Sequence, residues 1–249
     1  MKIAIVGIGS IGGNLARRLA AAGHEVRVAN SRGKAAVSSF AKEAGVIPTD
    51  LEDAIDGADA VMLAIPLPAI ATLPEDLLAA LPSSVPVVDT SNYYPGLRDA
   101  QIPALESGQT ESVWVSEQLG RPVIKAFNNL LAYSLENLGK PKGSEGRLGV
   151  AVAGDDARQK TLVMKLVDEV GFEPVDSGSL EDSWRQQPCT PAYCCDYTAD
   201  QMRPALAAAV KGAAAQKREE LNTRLPELFA KNPSHVDVVV FNRNFNAAN

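Results

Sequence analysis

The sequence predicts an α/β protein built on a doubly wound, mostly parallel sheet, with a small helical C-terminal part. Three observations predict it. Short apolar runs alternate with amphipathic segments from residue 2 to about residue 175, the pattern of βαβ units. A glycine-rich turn joins the first apolar run to the first amphipathic segment. After about Gly178 the alternation stops, and turn-rich chain gives way to a long Ala-rich segment.

The elements follow in order. Lys2–Val6 is a short apolar strand. Over residues 11–22, Ile11, Leu15, Leu19 and Ala22 share one helix face, with Arg17 and Arg18 opposite. Glu25–Ala29 alternates as a strand, residues 35–44 read as a helix, and 46–48 as a short strand. Residues 51–55 form a short acidic helix and 60–65 a buried strand. Residues 69–81 read as mostly helical with an interruption at Pro74, and 85–89 as the next strand. Further strands are expected over 122–127, 148–153 and 172–175, with an amphipathic helix over 156–170. Residues 199–222 read as one long helix, with Pro204 near its start, and 236–241 as an apolar edge strand or oligomer contact. The expected division is a nucleotide-binding domain over 1–178 and a helical region over 179–249.

Composition narrows the function classes. The chain has 249 residues, 46% of them hydrophobic, enough for one large α/β domain with an appendage. A net charge of −6 argues against nucleic acid or an anionic membrane as partner. Met1 and Lys2 lead into four apolar residues and then a glycine, which predicts no secretory signal. The best candidate span, 61–73, is cut by Pro66 and Pro68. Cys189, Cys194 and Cys195 are an odd, clustered set without C-x-x-C spacing. They suggest buried thiols in a reducing cytoplasm rather than disulfides or a zinc site.

"GIGSIGG" places Gly7, Gly9 and Gly12 in G-x-G-x-x-G register, after a strand and opening a helix. The first glycine permits the tight turn, the second admits a pyrophosphate, and the third lets helix and strand meet. Gly7, Gly9, Ser10, Ile11 and Gly12 are therefore expected to meet a dinucleotide on a Rossmann-type sheet.

"ANSRGK" follows the second strand. Ser31 lies 19 positions after Gly12, where an acid would hold ribose hydroxyls and repel a 2′-phosphate. Asn30, Ser31, Arg32 and Lys34 stand there instead. A permanently charged guanidinium fork and neighbouring donors suit a 2′-phosphate, so NADP is the expected cofactor.

With "AIPLPAI", "VVDTSNYYPG", "VIKAFNNL" and "VAGDDARQKTLVMKLVDEVGFEPVDSGSL", these stretches resemble the NADP-dependent deazaflavin (coenzyme F-420) reductase family. More distantly, the chain is similar to the cytoplasmic domain of six-transmembrane ferric reductases. The resemblance implies a hydride exchanged between NADPH and a second flat redox ring, coenzyme F-420 or a flavin. It implies that Ala64, Ile65 and Pro66 lie along the cofactor. It implies that Thr90 and Asn92 stand near the nicotinamide end, and Ala126 and Asn128 by the reacting ring. The tail, "WRQQPCTPAYCCDY" and the Ala-rich segment, departs from the family and leaves the acceptor open.

Hydride transfer between two such rings needs orientation and a dry site more than acid–base groups. Asn92 and Asn128 are the candidates nearest that chemistry. The only histidines are His24, in a return turn, and His235 near the C-terminus. "KAFNN" also resembles the Lys-x-x-Asn-Asn of 3-hydroxyacid dehydrogenases, which would make Lys125 an acid/base. Its β-branched, proline-led context reads as strand rather than the helix of that family. Tyr93 and Tyr94 either wall the second substrate or pack beneath their loop. A non-catalytic NADP-binding sensor is the remaining alternative. The expected partners are a small redox co-substrate and a second copy of the chain.

Overall fold

The computed structural model describes residues 1–247. β1 (Lys2–Val6), α1 (Ser10–Ala21), β2 (Glu25–Ala29), α2 (Lys34–Ala44), β3 (Ile47–Pro48) and α3 (Leu51–Ile55) open the chain. β4 (Ala60–Leu63), α4 (Leu67–Ile70), β5 (Val87–Asp89), α5 (Pro103–Glu106), α6 (Glu111–Leu119) and β6 (Ile124–Lys125) complete the main sheet. α7 (Ala132–Asn137), β7 (Gly149–Val152), α8 (Ala157–Glu169) and β8 (Glu173–Asp176) follow. A 3-10 turn over Glu181–Gln186 leads to α9 (Ala199–Ala207), α10 (Ala213–Phe229) and α11 (His235–Phe245).

The six-stranded sheet runs β3-β2-β1-β4-β5-β6, and every pairing in it is parallel. The order reverses between β1 and β4, so a crevice opens beyond their C-terminal ends. Both faces are covered. Ile3, Ile5, Val28 and Met62 point toward α1, α2 and α8, where Leu15, Leu19, Val37 and Leu166 meet them. Ala4, Val6, Val61 and Leu63 point the other way, onto Ile55, Leu67, Ile70 and Val115. Burial on two faces explains why these strands read as continuous apolar runs.

Several expectations need correction. Residues 69–81 are not a helix; α4 ends at Ile70 and Pro74 opens a run of turns. The strand expected over 122–127 pairs only at Ile124–Lys125, and Phe127 then turns to φ +63°. The strands near 148–153 and 172–175 form, but as a separate two-stranded parallel ladder, β7-β8. One antiparallel bridge, Lys125 to Ala153, joins it to β6. The Ala-rich segment is two helices, because Gly212 at φ +87° breaks it. Residues 236–241 lie within α11, not a strand. The Ser234 hydroxyl accepts from the Asp237 N–H, and the Asp237 carboxylate reaches back to the Ser234 N–H. That reciprocal cap starts a helix in spite of three consecutive valines. Arg18, expected to face solvent, is half-buried and donates to the carbonyls of Leu135, Glu136 and Val170. It thereby closes the ends of α7 and α8. No helix among the described residues is long and apolar enough to cross a membrane.

Candidate functional site

The glycine turn sits at the sheet's switch point. A Cβ on Gly12 would stand 2.0 Å from the Gly7 carbonyl oxygen and 2.8 Å from the Ala64 side chain. Gly12 is therefore required for α1 to meet β1 and β4. Gly9 differs: a Cβ there would meet nothing within 4 Å. It caps α1 without a side chain, leaving that helix end open to solvent. Unpaired amides and the helix dipole suit an anion there. The space is where a pyrophosphate oxygen would approach. Gly9→Ala is expected to fold normally and to weaken NADPH by roughly tenfold, read by calorimetry beside a thermal melt. A matching loss of melting temperature would instead make Gly9 a packing residue.

"ANSRGK" makes the turn between β2 and α2. The Asn30 side chain accepts from the Arg32 N–H at 2.9 Å, and Asp50 accepts from the Lys34 N–H at 2.8 Å. The backbone is thus held while the side chains stay free. Ser31, Arg32 and Lys34 are exposed. The Arg32 guanidinium has no hydrogen bond or ion pair among the described residues. Ala64 and Ile65, half-buried, and Pro66, exposed, run from β4 into α4 along the same crevice.

The loop after β5 carries the remaining candidates. Thr90 is buried, and its hydroxyl donates to the Leu63 carbonyl at 3.1 Å, tying β5 to β4. Asn92 is half-buried at the surface of the loop. Its amide donates to the Asn128 carbonyl at 3.0 Å, and Asn128 returns an amide bond at 3.1 Å. Asn128 is buried and spends its other contacts on Gln186. Ala126 is fully buried. Thr90, Ala126 and Asn128 therefore form the floor of the site, and Asn92 stands above it.

Lys125 is also sealed. Its ammonium donates to Asp89 at 2.9 Å and to the Ser91 carbonyl at 2.6 Å, with both charged side chains fully buried. Asp89 accepts further bonds from the Ser91 N–H and hydroxyl and from the Ser112 hydroxyl. This satisfied pair has the geometry of a structural charge, not of an exposed proton donor. Tyr93 is fully buried beneath the loop; its hydroxyl donates to Glu106 and accepts from the Ile102 N–H. Tyr94 is half-buried, and its hydroxyl pairs closely with that of Tyr193.

The cysteine-bearing loop covers this region. All three thiols are free and buried, and no cluster of metal-ligating residues exists among the described residues. Burial pushes Cys189 up to about 12 and Cys195 up to about 11, so both stay protonated. Cys189 and Cys194 adopt left-handed backbone, at φ +69° and +53°.

Glu111, at the start of α6, escaped the sequence reading. It is fully buried, accepting from the Tyr93 N–H at 3.3 Å and from Arg218 at 3.3 Å. Burial pushes its carboxyl from 4.5 up to about 7, against the pull of Lys125 and Arg218. A raised value in the folded state stabilises below the unfolded value and is lost as pH rises through about 7. Urea unfolding from pH 6 to pH 8 is therefore expected to show a falling stability component that Glu111→Gln lacks. Parallel pH profiles for the two proteins would refute this. Arg98, Gln186, Tyr193 and Arg218 were likewise missed. Gln186, Tyr193 and Arg218 act through partners distant in sequence, whereas Arg98 works within its own loop on Asp99 and Asn92.

The larger cavities lie elsewhere. One of about 380 Å³, lined by Arg18, Ala22, Gly139 and Gly171, is at the far end of α1 from Gly9.

Comparison with known proteins adds relatives. A family model described as NADP oxidoreductase, coenzyme F-420-dependent, matches residues 2–93. Escherichia coli YjhV is 44% identical over 132 residues, 51% of this chain and 84% of that protein. The crystal structure of SMa0349, a hypothetical protein from Sinorhizobium meliloti, is similar at TM-score 0.62 and 34% identity. That match covers 75% of this chain and 89% of that one. Rat metalloreductase STEAP3 is 26% identical over 183 residues, 72% of this chain but only 34% of that protein.

Proposed function

Because the chain belongs to the NADP oxidoreductase family described as coenzyme F-420-dependent, we propose that it exchanges a hydride between NADPH and a second flat redox ring, a deazaflavin or flavin-like molecule. The observation that carries the reading is the exposed guanidinium of Arg32, without a partner among the described residues, where an NAD-binding chain needs an acid. The open space at Gly9 supports it.

On this reading Gly7, Gly9, Ser10 and Ile11 hold the pyrophosphate through main chain and helix dipole. Ser31, Arg32 and Lys34 hold the 2′-phosphate. Ala64, Ile65 and Pro66 give the cofactor an apolar edge. Asn92, fixed by Asn128, orients the nicotinamide end. Bound NADPH supplies the hydride. The side chains orient and exclude water, which matches a site whose lysine and glutamate are sealed below it. The similarity to a metalloreductase adds ferric chelates to the acceptors worth trying.

The deciding experiment mixes the protein with NADPH and, separately, a deazaflavin, flavins and ferric chelates, following loss of NADPH absorbance. Turnover with the deazaflavin or a flavin is expected. Consumption with none of them would reduce the function to cofactor binding, the sensor alternative.

A further inference from the structure

Helix α10, in the C-terminal region, returns across the chain to the loop after β5. Arg218 donates to Glu111 at 3.3 Å, and its guanidinium lies 5.3 Å from the centre of the Tyr93 ring. Glu111 in turn accepts the Tyr93 N–H, next in sequence to Asn92. One turn further along α10, the Asn222 amide donates to the Pro95 carbonyl at 3.1 Å. The approach is close: a Cβ on Gly96 would stand 2.5 Å from that amide nitrogen. The loop is therefore gripped from two sides, by Asn128 from below and by α10 from behind.

We propose that α10 is a positioning element for the nicotinamide side of the site, with Arg218 acting through Glu111 and Asn222 acting on Pro95 to set the 91–98 loop that carries Asn92. The proposal rests on the NADP reading above. It assigns the C-terminal region a role in cofactor geometry. The grip is adjustable rather than locked. Arg218 offers Glu111 one donor and not a bidentate fork, and its Nε has no partner among the described residues. Arg98, within the same loop, pairs with Asp99 and donates to the Asn92 carbonyl.

Removing Arg218 need not unfold the protein. The Glu111 carboxyl already sits near neutrality, so it takes up a proton in place of its lost partner. The charges that remain around it are Asp89 on β5 and Lys125 on β6, and these compensate each other. Glu106 on α5 is occupied by the Tyr93 hydroxyl, and Glu181 in the 3-10 turn by Lys211. The Cys189 thiol stays neutral.

The test separates the two ends of the cofactor. Binding of NADPH and of adenosine 2′,5′-bisphosphate, which lacks the nicotinamide half, is measured at pH 7 for wild type, Arg218→Gln, Arg218→Lys and Asn222→Ala. Arg218→Gln is expected to weaken NADPH about fivefold or more while leaving the bisphosphate within about twofold. Arg218→Lys should recover part of the loss, and Asn222→Ala should move the same ratio by less. Equal weakening of both ligands would overturn the proposal, since that marks a general loss of structure. An unchanged ratio in Arg218→Gln, or a lysine that restores nothing, would overturn it too. A wild type that binds neither ligand would overturn the cofactor reading and this inference with it.

Discussion

Arg32→Ala is expected to weaken NADPH by ~1.5–3 kcal/mol, roughly ten- to a hundredfold, and to leave NADH nearly untouched. The only groups lost are donors to a 2′-phosphate that NADH does not carry. Nothing in the fold should suffer, because the side chain is exposed and makes no bond among the described residues. The turn itself is held by Asn30 and Asp50 and not by the guanidinium. Calorimetric titration of both cofactors into both proteins gives the answer directly. Raised salt should narrow the gap for wild type, as expected of an exposed charge pair. Equal losses for NADPH and NADH would remove the 2′-phosphate assignment and leave the residue as solvated loop.

Lys125→Met is expected to cost about 3–5 kcal/mol of stability, because it leaves Asp89 charged, buried and without its cation. The loss should be largest above neutral pH, where Glu111 also ionises nearby. Adding Asp89→Asn should restore part of it, since the second change removes the stranded charge. Urea unfolding of the single and double variants measures this. The experiment also settles the hydroxyacid-dehydrogenase alternative. A catalytic lysine would leave a stable protein that binds NADPH and has lost turnover. A structural lysine leaves a protein that is unstable first and impaired second.

The signals that point to a nucleotide are local. Gly7, Gly9 and Gly12 lie within six residues, and the Ser-Arg pair follows at a spacing dictated by one helix and one strand. Periodicity placed β1, β2 and α8 because each buries a continuous apolar stripe. The surroundings of the loop after β5 were not readable in this way. Glu111 and Arg218 are separated by 107 residues, and Asn128 and Gln186 by 58. No periodic pattern links such pairs. Glu111 in particular reads as an ordinary acidic residue in a helix's first turn, which is a solvated position in most proteins.

Local preference also misled in places. Val238, Val239 and Val240 favour a strand, yet Ser234 and Asp237 cap a helix and Val239 and Asn242 bury one face of it. Both signals were in the sequence; packing chose between them. The strands β7 and β8 were placed correctly in the chain, but only tertiary pairing separates them from the main sheet.

What the sequence alone determined is the sheet class and the glycine turn that opens α1, because strand periodicity and turn geometry act within a few residues of backbone. What only the tertiary structure decided is which polar side chains are free to meet a ligand. Lys125, Asn128 and Thr90 looked available, and folding spent each of them on a buried partner. Arg32 stayed exposed, with no partner among the described residues. Availability depends on desolvation and on contacts across the fold, and both arise only when distant segments close over one another.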